Sequence, residues 1–375
     1  MRVGILGGGQ LGRMMAMSGY PFGLRFRCLE PAREAPMGHL AQLVLGDYDD
    51  FDALDRFAEG LDVVTYEFEN VPVLSARRLA RHTPVYPPPE ALEVAQDRLA
   101  EKTLFRQLGI ETARFAPVDS LAELHDALPG IGLPAVLKTR RLGYDGKGQV
   151  VIRARADVAP AWDELGGVPL ILEGFVDFRR ELSVLAVRGR LGKVAFYPLV
   201  ENHHRGGILR LSRAPAPDLA PGEQEEAERI ARAVLERLDY VGVLAIELFE
   251  VADAAPADQA VAPGVRLLAN EMAPRVHNSG HWTIEGAETS QFQNHLRAVV
   301  GWPLGPTTPI GHSVMVNLIG DAPAIPDVLA IRGAYLHMYG KAPRPGRKIG
   351  HITIRHDDPA EVARILTRVQ ELAPE

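Results

Sequence analysis

The residues best equipped for chemistry in this chain of 375 residues lie in one polar segment, between Asn270 and Trp282. The apolar run before it, Val265–Ala269, predicts a strand, and a second acid, Glu247, ends a similar run. Carboxylates at the ends of neighbouring strands make an oxygen-rich site that suits Mg²⁺ bound to nucleotide phosphates. The pattern predicts an enzyme that uses ATP, and a polar loop after a strand is the alternative. The segment supplies these polar residues: Asn270, Glu271, Arg275, His277, Asn278, Ser279 and His281.

Features upstream of this segment would hold the nucleotide. Lys138 ends an apolar run, where its ammonium group can reach phosphates. Beyond a later strand, the linker Glu173, Gly174, Phe175 and Val176 suits adenine, and Glu181 suits the ribose hydroxyls. Each signal alone also fits a solvated strand end or an ordinary turn, so their order along the chain is what indicates ATP. A glycine-rich hairpin tip would approach the phosphates with its N–H groups and close over them, and it consists of Gly143, Tyr144, Asp145, Gly146, Lys147, Gly148 and Gln149.

A second glycine motif, Gly7-x-Gly9-x-x-Gly12, lies between a predicted strand and a predicted helix. With Glu30 about 20 residues further on, it matches the dinucleotide-binding fingerprint and is typical of an NAD-dependent oxidoreductase. The same loop can hold a sugar phosphate at the helix N-terminus, or serve only as a tight turn. We favour a nearby substrate phosphate, because a dehydrogenase needs neither paired metal-binding acids nor a glycine-rich lid.

Composition narrows the class of protein. The net charge of −7 and the pI near 6.0 argue against a nucleic-acid partner. No apolar run approaches the ~20 residues needed to cross a bilayer, so no membrane partner is expected. The chain begins directly with a predicted strand rather than a secretory leader, and its single cysteine, Cys28, rules out an internal disulfide framework. These features predict a cytoplasmic protein.

Strand and helix patterns alternate in the first part of the chain, which predicts a doubly wound parallel sheet. A chain of this length requires two or three domains, and prolines at 84 and 87–89 predict a seam after the first. Predicted strands lie at 2–6, 24–29, 61–65, 135–138, 149–153, 170–173, 181–187, 313–318 and 351–354. Predicted helices lie at 97–108, at 222–238 and from Asp358 onward.

In order and identity, these features resemble the N5-carboxyaminoimidazole ribonucleotide synthetase family of the ATP-grasp superfamily. Four segments carry the likeness: GGGQLGRM at 7–14, GYDGKGQ at 143–149, APRVHNSGHW at 273–282 and RPGRKIGH at 344–351. The resemblance implies an ATP-grasp fold of mixed α/β and α+β class. It places a doubly wound pre-ATP-grasp domain at 1–97, an ATP-grasp domain at 98–300 with a lid subdomain at about 112–172, and a small β-rich domain at 301–375.

The resemblance also implies an activity. In that family ATP and bicarbonate carboxylate 5-aminoimidazole ribonucleotide through carboxyphosphate, a carbon–nitrogen ligation of purine biosynthesis. It implies a homodimer, and it implies magnesium at Glu247 and Glu271, with two ions expected and Mn²⁺ as an alternative. The implied nucleotide contacts are Arg98, Lys138, the 143–149 loop, the 173–176 linker, Glu181, His204, Asn270 and Glu271.

Other polar residues are assigned to catalysis and to the acceptor nucleotide. Arg275 would stabilise the transferred group, and Asp145 would orient the amine. A basic cluster near the C-terminus suits a 5′-phosphate, with a solvated loop as the alternative. The predicted catalytic residues are Tyr144, Asp145, Lys147, Arg275 and His277. The predicted acceptor contacts are Gln10, Leu11, Glu67, Asn278, Ser279, Lys341, Arg344, Arg347 and Lys348.

Two departures from the superfamily pattern concern the site. Ala273 stands where ATP-grasp proteins commonly have an asparagine, so one magnesium ligand must be missing or replaced by water or by Asn270. Lys147 stands where relatives often have arginine, which keeps the charge but loses a bidentate fork. The functions that stay open are a formate-dependent or biotin-carboxylase-like ligase, an NAD-dependent oxidoreductase and a non-catalytic nucleotide-binding regulator.

Overall fold

The computed structural model describes residues 1–143, 146–252 and 265–373. Within these ranges every helix is too short or too polar to cross a bilayer. The strands are β1 (Arg2–Leu6), β2 (Arg25–Glu30), β3 (Gln42–Leu45), β4 (Val63–Tyr66), β5 (Phe115–Val118), β6 (Ala135–Thr139), β7 (Gln149–Ile152), β8 (Leu170–Gly174), β9 (Arg180–Arg188), β10 (Val194–Phe196), β11 (Val200–Arg205), β12 (Ile208–Ala214), β13 (Gly242–Ala252), β14 (Val265–Ala273), β15 (His312–Ile319), β16 (Ala334–Met338) and β17 (Lys348–His356). The helices are α1 (Gln10–Gly19), α2 (Phe51–Ala58), α3 (Val73–Leu79), α4 (Pro89–Ala95), α5 (Arg98–Gln107), α6 (Leu121–Ile131), α7 (Val158–Leu165), α8 (Glu223–Arg237), α9 (Thr283–Gly286), α10 (Gln291–Val300), α11 (Ile325–Leu329) and α12 (Pro359–Leu372).

The first sheet consists of four parallel strands in the order β3-β2-β1-β4. β1 pairs with both β2 and β4, and its residues Val3, Ile5 and Leu6 are fully buried. α1 follows β1 directly and buries Met14 and Met15. The parallel pairing confirms the predicted doubly wound arrangement, and it brings the glycine loop after β1 to the carboxyl edge of the sheet.

The second sheet is antiparallel, with the order β5-β8-β6-β7. β6 and β7 form a hairpin in which Lys138 lies opposite Gln149, so the glycine-rich segment connects them as predicted. α6 and α7 pack on this sheet, in a core that includes Leu124, Leu137 and Leu172. The glycine-rich loop therefore leaves the sheet next to Lys138.

The third sheet has nine strands, and its main path runs β14-β13-β9-β11-β12-β15-β17-β16. α8 covers part of one face, where Ile230 and Val234 share a core with Leu182 and Leu244. The C-terminal strands β15 to β17 continue the sheet through antiparallel pairing of β12 with β15. One sheet thus carries the predicted metal acids on β13 and β14 and also Lys348, the first residue of β17.

Most predicted elements are present with nearly the predicted bounds. The helix predicted at 97–108 is α5, and the first predicted residue is its N-cap. Two predicted strand ends are wrong: the strand expected to end at Glu247 continues to Ala252, and the strand expected at 265–269 continues to Ala273. Each acid therefore lies inside a strand, because antiparallel pairing of β13 with β14 continues past both positions.

A buried histidine joins the first sheet to the third. The His295 ring on α10 is 0 % exposed, and its Nδ1 accepts the N–H of Val243 in β13 at 3.1 Å. The acceptor role of Nδ1 places the ring proton on Nε2, which donates to Thr65 Oγ1 in β4 at 2.8 Å. Burial lowers the pKa of His295 from 6.5 to about 3, so the ring is neutral in the folded protein at physiological pH.

The buried neutral ring predicts a loss of stability in mild acid. Below the ordinary pKa of 6.5, the unfolded chain binds a proton that folded His295 excludes, so the free energy of unfolding falls with decreasing pH. The loss approaches about 1.4 kcal/mol per pH unit and continues until the pH reaches the folded pKa. Denaturant titrations at several pH values between ~5 and ~7 measure it.

The matched variant is His295→Gln, which cannot take up this proton. It should be less stable at neutral pH, because it loses the ring contacts to Val243 and Thr65, yet its stability should depend less steeply on pH. Equal slopes for the two proteins would contradict the role given to His295.

Candidate active site

Glu247 and Glu271 lie side by side on the third sheet. The antiparallel register of β13 and β14 places them directly opposite each other. Opposite residues point to the same face, with Cβ atoms ~5 Å apart. The predicted meeting of the two acids is therefore confirmed. The Glu247 side chain is 19 % exposed and that of Glu271 is 41 % exposed, so Glu271 is the more open to solvent.

The two carboxylates hold their charges unequally. Burial, together with the charge of Glu271, raises the pKa of Glu247 to about 7. Burial acts on Glu271 in the same direction, but Arg98 Nη1 donates to Glu271 Oε2 at 2.9 Å and brings the pKa of that carboxyl below its ordinary value. A divalent cation between the acids would relieve the repulsion at Glu247, so the pair fits a metal ion.

The face that carries this pair changes from apolar to polar along β9. Leu185 is buried in one core with Ala245 of β13, whereas Ser183 lies opposite Glu247. Glu181 points the same way as Ser183, because alternate residues of a strand share a face. This face of the sheet is therefore apolar and buried around Leu185, and it is polar around Glu181 and Ser183.

Lys138 and Glu173 form a buried ion pair. Lys138 Nζ donates to Glu173 Oε2 at 2.9 Å, and Lys102 Nζ of α5 lies 3.4 Å from the same oxygen. Burial would raise the pKa of Glu173, but the two lysines lower it to about 2. The buried Oε1 of Glu173 has no hydrogen-bond partner among the described residues. It can therefore accept a hydrogen bond from a ligand, such as the amino group of adenine.

Sequence reasoning missed Lys102, which lies four residues after Arg98. That spacing puts the two side chains on one face of α5. Since charged residues at helical spacing usually face solvent, the spacing alone did not distinguish this face from an exposed one.

Glu181 and His204 pair on neighbouring strands of the same sheet. His204 Nδ1 lies 2.7 Å from Glu181 Oε2. Burial would lower the pKa of His204, but Glu181 and Glu247 raise it above its ordinary value. The structure thus brings both predicted nucleotide contacts to the side of the carboxylate pair.

Arg275 and His277 follow the end of β14 and lie close to two acids. The guanidinium of Arg275 donates to Glu69; burial would raise the pKa of Glu69, but Arg275 lowers it to about 2. His277 Nε2 lies 3.4 Å from Glu247 Oε1. Burial, with help from Arg275 and Lys348, lowers the pKa of His277 to about 3, so its ring is neutral. A neutral ring can accept or donate a hydrogen bond here but brings no positive charge.

A chain of buried hydrogen bonds supports His277 from inside the sheet. His277 Nδ1 lies 2.9 Å from Ser279 Oγ, which accepts from Ser183 Oγ at 2.7 Å. Asn202 donates to Ser183 at 3.1 Å, and Ser212 donates to Asn202 at 2.7 Å. Ser279 is 0 % exposed, so its hydroxyl positions His277, and contact between Ser279 and a substrate stays a prediction.

The predicted basic cluster, which consists of Lys341, Arg344, Arg347 and Lys348, reaches the site to different extents. Lys348 is close enough to Glu247 to favour its charged form. Burial lowers the pKa of Lys341, and the nearby Glu67 opposes that shift. Arg347 Nη1 donates to the carbonyl of Ala342 at 3.3 Å, and Arg344 is exposed. Within the cluster, Lys341 therefore lies near Glu67, and Lys348 lies near Glu247.

Asn278 connects this region to the C-terminal strands. Its side-chain amide and that of Asn317 in β15 exchange two hydrogen bonds, at 2.8 and 3.1 Å. Asn317 also donates to the carbonyl of Leu209 at 2.9 Å. The reciprocal pair holds Asn278 in place, and its contact with a substrate stays a prediction.

The amides of the N-terminal glycine loop already hold carboxylates. Gly9 and Gly12 donate to the two oxygens of Glu67, the latter at 2.7 Å, and Gly8 donates to Glu30 Oε2 at 2.9 Å. A Cβ at Gly9 would lie 2.5 Å from Glu67 Oε1. The glycine pattern therefore accommodates these acids, and the amides of Gly8, Gly9 and Gly12 are not available to a pyrophosphate or to the sugar phosphate that the sequence favoured.

This arrangement opposes the dinucleotide interpretation. Carboxylates on the loop amides would repel a pyrophosphate from those positions, and Glu30 is also held by the Tyr48 hydroxyl at 2.8 Å. The NAD-dependent alternative therefore lacks the donors it requires. The amides of Gln10 and Leu11, in the first turn of α1, stay as predicted contacts of a substrate.

The base of the glycine-rich loop approaches the site from the second sheet. A Cβ at Gly143 would lie 3.3 Å from Arg98 Nη2, and one at Gly146 would lie 3.1 Å from the Cα of Gly207. Gly143 thus lies beside α5, and Gly146 lies beside the turn that joins β11 to β12. The predicted catalytic residues Tyr144 and Asp145 lie outside the described residues.

The donor set fits magnesium better than a closed metal centre. Within the described ranges, no three or more His, Cys, Asp or Glu side chains are grouped to hold a metal ion. Two carboxylates with substrate phosphates and water are typical for Mg²⁺. Ala273 lies opposite Ala245 and adds no ligand. The carbonyl of Asn270 accepts from Lys102 at 3.0 Å, and a role for its side chain stays a prediction.

Comparison with known proteins identifies the family. Residues 103–292 match the model of the ATP-grasp domain, residues 1–96 that of the ribonucleotide synthetase preATP-grasp domain, and residues 313–365 that of the phosphoribosylaminoimidazole carboxylase C-terminal domain. The N5-carboxyaminoimidazole ribonucleotide synthase of Pseudomonas aeruginosa is 51 % identical, over 99 % of each chain. These matches confirm the predicted fold class.

Solved structures agree with this result. The N5-carboxyaminoimidazole ribonucleotide synthetase from Thermus thermophilus is 58 % identical over 100 % of this chain and 99 % of its own, with a TM-score of 0.93. The Aspergillus clavatus enzyme, solved with ADP and 5-aminoimidazole ribonucleotide, is 29 % identical over 100 % of this chain and 99 % of its own, with a TM-score of 0.88. With the family models and the curated relative, these likenesses show that the chain belongs to the N5-carboxyaminoimidazole ribonucleotide synthetase family of ATP-grasp ligases.

Proposed function

We propose that this protein uses ATP and bicarbonate to carboxylate 5-aminoimidazole ribonucleotide, in purine biosynthesis. Bicarbonate would take the γ-phosphoryl group of ATP, which gives carboxyphosphate and ADP. Carboxyphosphate then releases carbon dioxide and phosphate beside the exocyclic amine, which forms the new carbon–nitrogen bond and loses a proton. The observation that carries the proposal is the pair Glu247 and Glu271, which face each other across β13 and β14 beside the Lys138–Glu173 ion pair.

The ATP molecule would lie between the second and third sheets. Glu173 Oε1 would accept from the adenine amino group, and the 174–176 backbone would bind the adjacent ring edge. Glu181 and His204 would bind the ribose hydroxyls. Lys138, Arg98 and the 143–149 loop would then contact the phosphates, since Lys138 pairs with Glu173 and Arg98 pairs with Glu271.

Glu247 and Glu271 would hold one or two magnesium ions, with Mn²⁺ as an alternative. A bound divalent ion neutralises the phosphate oxygens and aligns the γ-phosphoryl group for transfer. Arg98 keeps Glu271 ionised, and the neutral ring of His277, in contact with Ser279, lies 3.4 Å from the Glu247 carboxylate and does not compete with a metal ion as a cation. Water or Asn270 would fill the position that Ala273 leaves without a ligand.

The acceptor nucleotide would bind between the first sheet and the β16–β17 connection. Its 5′-phosphate would contact the basic cluster, chiefly Lys341, whose charge interacts with Glu67, and Lys348, whose charge interacts with Glu247. The Gln10 and Leu11 amides, Glu67, and Asn278 would complete this pocket. Arg275, which pairs with Glu69, would stabilise the transferred group, Asp145 would orient the amine, and Tyr144 and Lys147 would be further catalytic residues.

We further propose that the protein is a cytoplasmic homodimer. The family resemblance supports the dimer, and the acidic composition with a single cysteine supports the compartment.

ADP release should depend on both small substrates. With ATP and Mg²⁺ present, addition of bicarbonate and 5-aminoimidazole ribonucleotide together should raise the rate well above that with either one alone. A coupled ADP assay measures this, with formate in place of bicarbonate as the control for a formate-dependent ligase. Turnover that ignores the aminoimidazole nucleotide would rule out the proposed acceptor.

Removal of one carboxylate charge should abolish most turnover. Glu271→Gln keeps the shape but loses a metal ligand, so kcat should fall about 100-fold or more, beyond the effect typical of a supporting residue. Glu93→Gln, an exposed acid paired with Arg77, serves as the control and should leave kcat unchanged. Near-normal turnover of a folded Glu271→Gln variant would show that Glu271 is not a metal ligand.

The basic cluster should affect the acceptor more than ATP. Lys341→Met removes a charged donor, so the KM for 5-aminoimidazole ribonucleotide should rise by about 10-fold or more while the KM for ATP stays nearly constant. Lys193→Met, an exposed lysine on the β9–β10 turn, is the matched control. An equal change in both KM values would contradict a phosphate contact at Lys341.

A further inference from the structure

In the described part of the chain β14 is an edge strand of the third sheet, and the pairing on its outer side is a bridge of Ala269 with Thr112, where the Ala269 N–H donates to the carbonyl of Glu111 at 2.8 Å. The register with β13 is also interrupted at this point. Glu247 lies opposite Glu271, but the next residue, Leu248, lies opposite Ala269, so Asn270 is the extra residue of a β-bulge. A bulge loosens the ladder and re-aims the neighbouring side chain. The backbone that carries Glu271 therefore needs support from elsewhere.

Helix α5 supplies this support with two side chains on one face. Lys102 Nζ donates to the carbonyl oxygen of Asn270 at 3.0 Å. Glu101 Oε1 accepts the N–H of Met272 at 2.6 Å. Both side chains are nearly inaccessible to solvent, at 1 % exposure for Lys102 and 2 % for Glu101. The Asn270 carbonyl belongs to the peptide plane before Glu271, and the Met272 N–H belongs to the plane after it.

Fixing both planes fixes both backbone dihedrals of Glu271. Arg98, on the same face of α5, holds the carboxylate of Glu271 as well, so one helix holds this residue at three points. The three helix residues follow the spacing i, i+3 and i+4, which aligns them on one side of the helix.

The helix itself is anchored to the second sheet. Its N-cap, Asp97, accepts from the backbone N–H of Leu99 at 3.0 Å, and Arg140 binds the same carboxylate at 3.0 and 2.6 Å. The N–H of Arg98 donates to the carbonyl of Arg140 at 3.0 Å. Lys102 reaches Glu173 too, so α5 connects the strand with the second acid to the sheet with the adenine linker.

We propose that Glu101 and Lys102 are positioning residues that hold the 270–272 bulge, so that the Glu271 carboxylate is aimed at the metal ion and at the phosphates of ATP. The proposal rests on the metal role given to Glu271 above. A supporting contact of this kind typically changes metal affinity by about 10- to 100-fold. It differs from a purely structural edge contact, which would change stability but leave metal affinity intact.

The test measures metal binding directly, without turnover. Mn²⁺ binding to the full-length protein is titrated in the presence of ADP and followed by electron paramagnetic resonance. Glu101→Leu should weaken Mn²⁺ binding by about 10-fold or more, because the Met272 N–H loses its acceptor. Glu101→Gln keeps an oxygen acceptor in the same place and should recover most of the affinity. Lys102→Met, which frees the Asn270 carbonyl, should also weaken Mn²⁺ binding.

The control for general loosening is Asn294→Leu. Asn294 Oδ1 accepts the N–H of Gly305 at 2.8 Å, and the residue is 0 % exposed, so this variant removes an equally buried acceptor of a backbone N–H on α10. It should lower the free energy of unfolding as Glu101→Leu does, but leave Mn²⁺ affinity unchanged.

Three results would overturn the proposal: wild-type Mn²⁺ affinity in Glu101→Leu and Lys102→Met, equal weakness of Glu101→Gln and Glu101→Leu, or an equal loss in Asn294→Leu. If Glu101→Leu does not fold, the Mn²⁺ affinities of Glu101→Gln and Lys102→Met are compared with that of Asn294→Leu, and this comparison tests the positioning role. Absence of Mn²⁺ binding in the wild-type protein with ADP would instead remove the metal assignment itself, and the positioning role with it.

Discussion

The placement of two carboxylates inside a β-sheet, at directly opposite positions, is the constraint on which the rest of the site depends. Glu247 is largely shielded from solvent beside Glu271, and the loss of solvent, followed by the repulsion between the two carboxylates, raises the pKa of Glu247 to about 7. A protein can keep such a pair only if cations are close. The arginine and lysines around it therefore form part of the same arrangement, and so does the fit to a divalent ion.

The charge balance also explains how the three sheets are joined. Arg98 reaches Glu271 on the third sheet, and Lys102 reaches Glu173 on the second, so the buried part of α5 carries charged residues beside the apolar residues Leu104 and Phe105. His295 bonds Thr65 of the first sheet and Val243 of the third. These polar contacts add directional hydrogen bonds to the apolar core in which Val3 and Ile5 of the first sheet pack with Val187 and Val243 of the third.

The N-terminal glycine loop shows how one pattern can satisfy two chemistries. In dinucleotide-binding proteins the backbone N–H groups of this motif donate to a pyrophosphate. In this protein the same N–H groups donate to the carboxylates of Glu67 and Glu30, and the glycines leave room for these side chains. Glycine is required in both cases because a side chain would collide with whatever anion is present. The residue types and spacing of this motif do not distinguish the phosphate of a ligand from a carboxylate of the protein, because both are anions that bind at the N-terminus of a helix.

The sequence by itself determined the parallel first sheet, the glycine-rich hairpin beside Lys138 and the order of the segments predicted to bind nucleotide, because these follow from local periodicity and turn chemistry. The residue identities of the four segments at 7–14, 143–149, 273–282 and 344–351 indicated the family. Tertiary structure alone decided that both acids lie within strands, that Ser279 is buried under His277, and that Glu101 and Lys102 face inward. Each of these features depends on contacts between residues far apart in the chain, such as those of α5 with β14. Hydrophobic periodicity and residue type do not indicate which distant residue will neutralise a buried charge.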